Sequence, residues 1–196
     1  MHFRRLASLF LGAWLCGSFF MTWVATQNFR MVDEVLATPS PGAAADIAFL
    51  GKEPARMFLR HLVSEQNRHF FQTWELAQLA LGTLLLICLF FGVDGRPSLM
   101  ILTILMMCCV SLMHWWLTPE IVRIGRQIDF IPASTASALR DRFWSFHTAY
   151  STTEVLKLML GFALLVGLLR RSRRRGRRID SDLDFIDHPD HGHVDR

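Results

Sequence analysis

The chain has 196 residues, 52% of them hydrophobic, with 16 Phe against a single Tyr and a formal net charge of +4. Its apolar residues gather into four long blocks instead of short amphipathic stretches, which excludes an ordinary soluble domain. The positive charge is concentrated in one arginine run, so it reads as a topology anchor and speaks against nucleic acid as a partner.

A bilayer core of roughly 30 Å takes about 20 apolar residues per helix, and lipid offers the backbone no hydrogen-bond partner, so each block is expected to be a helix. The first span, about 6–26, follows Arg4 and Arg5. It exceeds the apolar stretch of a signal peptide and no clean A-x-A site follows, so it reads as a retained span. Thr38-Pro39-Ser40-Pro41-Gly42 then breaks the chain. A helix is expected after Glu53-Pro54, because proline suits a first helical turn. Met57, Leu59, Leu62, Val63, Phe70 and Phe71 give it an apolar stripe that runs into the second span, about 74–92.

The third span, about 98–118, follows a tight loop containing Arg96. Beyond Pro119, Ile121, Ile124 and Ile128 recur at helical spacing, so the helix extends past Pro119 or restarts there, until Pro132-Ala133-Ser134. Ser134 or Ser137 caps the helix that becomes the fourth span, about 150–169. Seven arginines then crowd positions 170–178, followed by an acidic, histidine-containing stretch. Residues 1–170 read as one four-helix membrane domain, an all-α bundle with helical extensions. Residues 171–196 are too polar to bury a core and read as a disordered tail.

Orientation follows from the basic residues. Arg4 and Arg5, Arg96 and the run at 170–178 belong on the cytoplasmic face of the cell (inner) membrane, which puts both termini inside. Segments 27–73 and 119–149 balance nine basic residues with eight acidic ones and face outward. Trp23, Trp74, Trp115, Trp116 and Trp144 fall at the outer ends, as an interfacial belt would, and only Trp14 is mid-span. The bilayer is the expected partner, with anionic headgroups met by Arg170–Arg178. The four cysteines all lie in spans and read as small apolar packing groups, with no soluble disulfide framework.

Gly12-Ala13-Trp14, Trp116-Leu117-x-Pro119 and the run Ser137-Ala138-Leu139-Arg140-x-x-Phe143-x-x-x-His147-x-x-x-Ser151 resemble the transmembrane protein 205-like family. Those are small four-span membrane proteins whose bacterial members form a domain of unknown function. The resemblance covers roughly 1–36 and 55–170. It implies the topology above, sets Arg140, Phe143 and His147 at the mouth of the fourth helix, and implies no reaction. This chain departs from the family where Glu154 stands near a usual Asn.

Ionisable residues within a span are expensive and mark function by default. Glu75, Glu154 and Lys157 are such residues, and His114 lies just inside the end of the third span. Glu154 and Lys157 are three residues apart on one helical face, so they are expected to pair. One outward-opening pocket lined by His114, Arg140, His147, Glu154 and Lys157, with Glu75 or His69 completing its wall, is the expectation. His69, His114 and His147 share one depth on three helices, so they are candidate ligands for a metal or haem. His61, Glu65 and His69 share a helix face and form a weaker metal candidate. Without such a group no cofactor is implied.

No nucleotide loop, G-x-S-x-G elbow or H-E-x-x-H motif is present, so an enzyme ranks last. Three classes remain: transport or export of a small solute, a metal- or haem-binding membrane protein, and a non-catalytic scaffold.

Overall fold

A computed structural model describes the backbone of residues 2–92, 97–131 and 138–186, with side chains in those segments up to residue 170. The elements run α1 (His2–Ala37), α2 (Pro41–Leu50), α3 (Lys52–Gly92), α4 (Pro97–Leu112), a π-helical turn (Met113–Leu117), α5 (Thr118–Ile128) and α6 (Ala138–Ile186). The described residues contain no strand. Four helices are long and apolar enough to cross a membrane, so the fold is an all-α bundle. Arg96, expected in a cytoplasmic loop, and Ser134 and Ser137, the expected caps of the fourth span, lie outside the described residues, as do residues 187–196.

The core forms where the four spans meet. Ala7, Leu11, Trp14 and Leu15 of α1 pack with Leu85, Cys88 and Leu89 of α3, Leu99, Met106 and Val110 of α4, and Leu164 and Leu168 of α6. Phe20, Leu84, Phe90, Ile101, Leu156 and Met159 stay exposed on the outside of the bundle. A soluble protein would bury such residues, whereas lipid accepts them at no cost. Gly82 lets α3 approach its neighbours closely: a Cβ there would lie 2.7 Å from Met107 Cγ and 3.0 Å from Trp14 Cζ3.

α1 has 36 residues and α3 has 41. At about 1.5 Å per residue both far exceed a bilayer core of roughly 30 Å. Their excess length projects as a hairpin from the end of the bundle opposite the termini, here called the far end. A second apolar cluster of Val32, Leu36 and Ala55 closes this hairpin, with Ile47, Leu59 and Val63 against it. Asn28 Nδ2 also donates to Asn67 Oδ1 at 2.7 Å, and Asn67 Nδ2 donates to the Ala25 carbonyl at 3.3 Å.

The breaker at 38–42 holds more structure than the sequence suggested. Ser40 caps α2, accepting from the Ala43 N–H at 3.4 Å, and Pro41 occupies its first turn. Gly51, at φ 87°, turns the chain directly into α3, a backbone conformation that other residues rarely adopt. α3 therefore starts at Lys52, and Pro54 sits in its first turn, where its missing N–H is not needed.

Two further differences concern Pro119 and the tail. Pro119 has no N–H for the carbonyl one turn back, and the chain responds by widening. The Thr118 N–H donates to the Met113 carbonyl, an i to i−5 bond that makes residues 113–117 a π turn. The helix passes Pro119 without breaking. In the tail expected at 171–196, the backbone of α6 continues through the arginine run to Ile186. Arginine is a good helix former, and extending a formed helix needs no new nucleus.

Candidate functional site

Glu75, Gln78 and Lys157, fully buried polar groups of the bundle, form two layers in its far half. Both start from neighbouring turns of α3 and α6. Glu75 and Gln78 are three residues apart on one face of α3, as are Glu154 and Lys157 on α6. Each pair therefore spans both layers.

The upper layer centres on Glu75, which is 0% exposed. Its Oε1 accepts from Thr118 Oγ1 at 2.6 Å and from the Tyr150 hydroxyl at 3.2 Å. Its Oε2 lies 3.0 Å from His114 Nδ1. An ionised carboxylate only accepts, so opposite it Nδ1 carries the imidazole proton. The π turn has a use here, because it contains His114 and delivers Thr118 to the same carboxylate. Three helical segments thus converge on one acid.

The deeper layer centres on Gln78, also 0% exposed. Its Oε1 accepts from Trp14 Nε1 at 2.8 Å and from Lys157 Nζ. Lys157 also donates to Glu154 Oε2 at 2.6 Å. Lys157 has a side chain only 1% exposed, whereas Glu154 at 18% and His114 at 20% reach the surface. Tyr150 is partly exposed as well, so these three side chains are contacts of the network with its surroundings. Toward the termini the core is apolar, with Leu11, Leu85, Leu89, Leu164 and Leu168 packed together. Among the described residues the hydrogen-bonded network stops at this layer.

The structure brings Glu75 to His114 and Glu154 to Lys157, and places the other sequence candidates elsewhere. His147 is corrected: it is exposed, stacked on Phe143 with ring centroids 5.9 Å apart, in an open groove with Trp144, Thr148, Ser151, Thr152 and Val155. Depth along a helix does not fix direction. At about 100° per residue, His147 is turned roughly 80° from Lys157. Arg140 Nη2 donates to the Ile131 carbonyl at 3.0 Å and serves the α5–α6 connection. His69 is exposed beside Phe70.

Among the described residues, His69, His114 and His147 do not gather as metal ligands. The group whose ligand atoms lie within 4.8 Å of one another is His61, Glu65 and Asp129. It also corrects the weaker candidate, since Asp129 of α5 stands where His69 was expected. Two arginines already hold these carboxylates. Arg126 makes a bidentate pair with Glu65, 2.8 Å on both arms, and Arg68 makes one with Asp129 at 2.9 and 3.0 Å. Arg68 also reaches Glu65, and His61 Nδ1 lies 2.8 Å from Asp129 Oδ2. The charges cancel, so this is a clasp between α3 and α5 and a poor host for a cation.

The clasp lies nine residues before the second span and sets a pH limit. Arg126 first, then Arg68, draw Glu65 down from the usual 4.5 to about 2, against an opposing effect of burial. A lowered carboxyl contributes stability that is complete above pH 4.5 and is lost as pH falls through about 2. Carboxyl NMR titration should find Glu65 still ionised at pH 3.5, and Arg126→Ala should return its midpoint toward 4.5. A wild-type midpoint near 4.5 would remove the clasp.

Comparison with protein-family models, curated proteins and solved structures finds no match for this chain. Sequence reasoning found the charged members of the network and missed the neutral ones, Trp14, Gln78, Thr118 and Tyr150. One signal was present: Trp14 was the single mid-span tryptophan. Gln78 could have been found too, one turn below Glu75 on the same face.

Proposed function

We propose that this chain is a multi-pass membrane protein that takes a small polar solute from the far end into the buried network, for transport or export. The observation that carries this reading is the pair Glu75 and Lys157, fully buried on different helices inside the spans. Charged groups at such depth are expensive and mark substrate or ion pathways. The bland reading is a structural ion network. Glu75 and Lys157 do not bond to each other, however: Glu75 is held by Thr118, Tyr150 and His114, and Lys157 is shared between Gln78 and Glu154. An apolar plug below the network fits a protein that opens alternately, and no catalysis is assigned.

The test uses proteoliposomes loaded with a mixed pool of amino acids, polyols, sugars and nucleosides, with mass spectrometry of what escapes. At least one solute should leave faster than from protein-free liposomes, and Glu75→Gln should abolish the difference. If nothing in the pool moves faster, a non-catalytic scaffold replaces this reading.

The far end is proposed to face outward, with both termini cytoplasmic in the cell (inner) membrane and Arg170–Arg178 beside anionic headgroups. Supporting this are the basic residues at the termini and the tryptophans at the far end. Asp46→Cys on α2 should react with an impermeant thiol reagent in intact cells. Labelling only after lysis would invert the topology. The resemblance to the transmembrane protein 205-like family is proposed on the motifs alone.

A further inference from the structure

Gln78 has a fixed orientation and a free end. Its Oε1 receives both Trp14 Nε1 and Lys157 Nζ. Turning the amide over would set its NH2 against an indole N–H and an ammonium, so the assignment of oxygen and nitrogen is decided by chemistry. Nε2, with two hydrogens, points elsewhere. No acceptor among the described residues meets it. Ser18, 2% exposed and one turn beyond Trp14 on α1, has a hydroxyl in the same condition. Buried polar atoms in native proteins are almost always satisfied by protein or by ordered water, so two such atoms on facing helices point to a bound acceptor.

Charge and space select which acceptor. Glu154 bonds to Lys157, and Glu75 with His114 lies one turn above, so an anion would enter beside two carboxylates. A cation would meet an ammonium and two donor groups. A neutral molecule that both accepts and donates meets neither objection. The α1–α3 contact beside Ser18 is tight: a Cβ on Gly17 would lie 2.6 Å from Trp74 Cζ2. Water is the smallest ligand that both accepts and donates.

We propose that Gln78 Nε2 and the Ser18 hydroxyl hold one or two ordered water molecules that join the Lys157–Gln78–Trp14 layer to the Glu75 layer. The site thereby becomes a single proton-exchanging unit, with its openings at His114 and Glu154. This deepens the transport reading, on which it rests only for its use, by naming the proton as the ion that accompanies the solute. The water itself follows from the two unpartnered atoms.

The wild-type protein in nanodiscs supplies the test, with 15N on its five glutamines. The Gln78 amide is recognised by its contact with the Trp14 indole proton, so no variant that fails to fold is needed. Water-selective NOE and ROE spectra should show cross-peaks from the Gln78 side-chain protons to water, with the sign of a water held longer than overall tumbling. Loss of that water contact while the Trp14 contact is seen would overturn the proposal. So would a contact with the sign of freely diffusing water. The liposome assay is independent: held water without solute movement removes the transport reading alone, and movement without held water removes this proposal alone.

Discussion

Glu75→Ala should lower the stability of the folded bundle by about 3–5 kcal/mol, because it takes the acceptor from three donors at about 1–3 kcal/mol each. Thr118, His114 and Tyr150 all direct a hydrogen bond at this one side chain. Water cannot replace the acceptor easily, because Glu75 is 0% exposed and Thr118 is 5% exposed. Thr118 has a local escape, since a threonine in a helix can turn its hydroxyl to a carbonyl one turn back. That keeps the loss from reaching the sum of three bonds. Glu75→Gln retains one acceptor oxygen and the shape, so it should cost about 1–2 kcal/mol, one or two net hydrogen bonds. Unfolding in mixed micelles measures both. A Glu75→Ala protein within about 1 kcal/mol of wild type, the worth of one ordinary hydrogen bond, would mean that the three donors do not depend on Glu75.

Glu75 also shows how far the sequence could be read. Its identity stood out because an acid in a span conflicts with its surroundings, and the four spans stood out because lipid demands long apolar helices. Both are properties of one segment. Who meets whom across helices depends on rotation and register, which no segment contains. His147 shared its depth with His114 but not its direction, and the expected pocket lost that wall. The clasp was hidden for the same reason. His61 and Glu65 were visible as helix neighbours, but Asp129 and Arg126 reach them from α5. Pro119 was visible, yet the helix could extend past it or restart there, and nothing in the segment showed the π bulge. The carboxylate waiting on α3 gives the bulge its use, since the widened turn carries His114 and Thr118 to it.

The second large effect is expected at Trp14, the largest side chain with no exposure. Trp14→Ala should cost about 3 kcal/mol, the lower end of the range for emptying a large aromatic site. The lower end applies because apolar transfer contributes little when the unfolded protein stays in lipid or detergent. What remains is the loss of packing around the hole. Gly82 on α3 shows how closely the ring is approached, since a Cβ there would come within 3.0 Å of it. Trp14→Phe separates the two roles of the side chain. It keeps most of the ring volume and removes only the N–H that donates to Gln78 at 2.8 Å. Gln78 Oε1 would still be held by Lys157, so no buried acceptor is stranded, and the cost should be about 1 kcal/mol, a single net hydrogen bond. The order alanine worse than phenylalanine therefore identifies Trp14 as a packing residue that also orients Gln78. Equal losses in the two variants would reverse that assignment, making the indole hydrogen bond the feature that holds α1 to the polar layers.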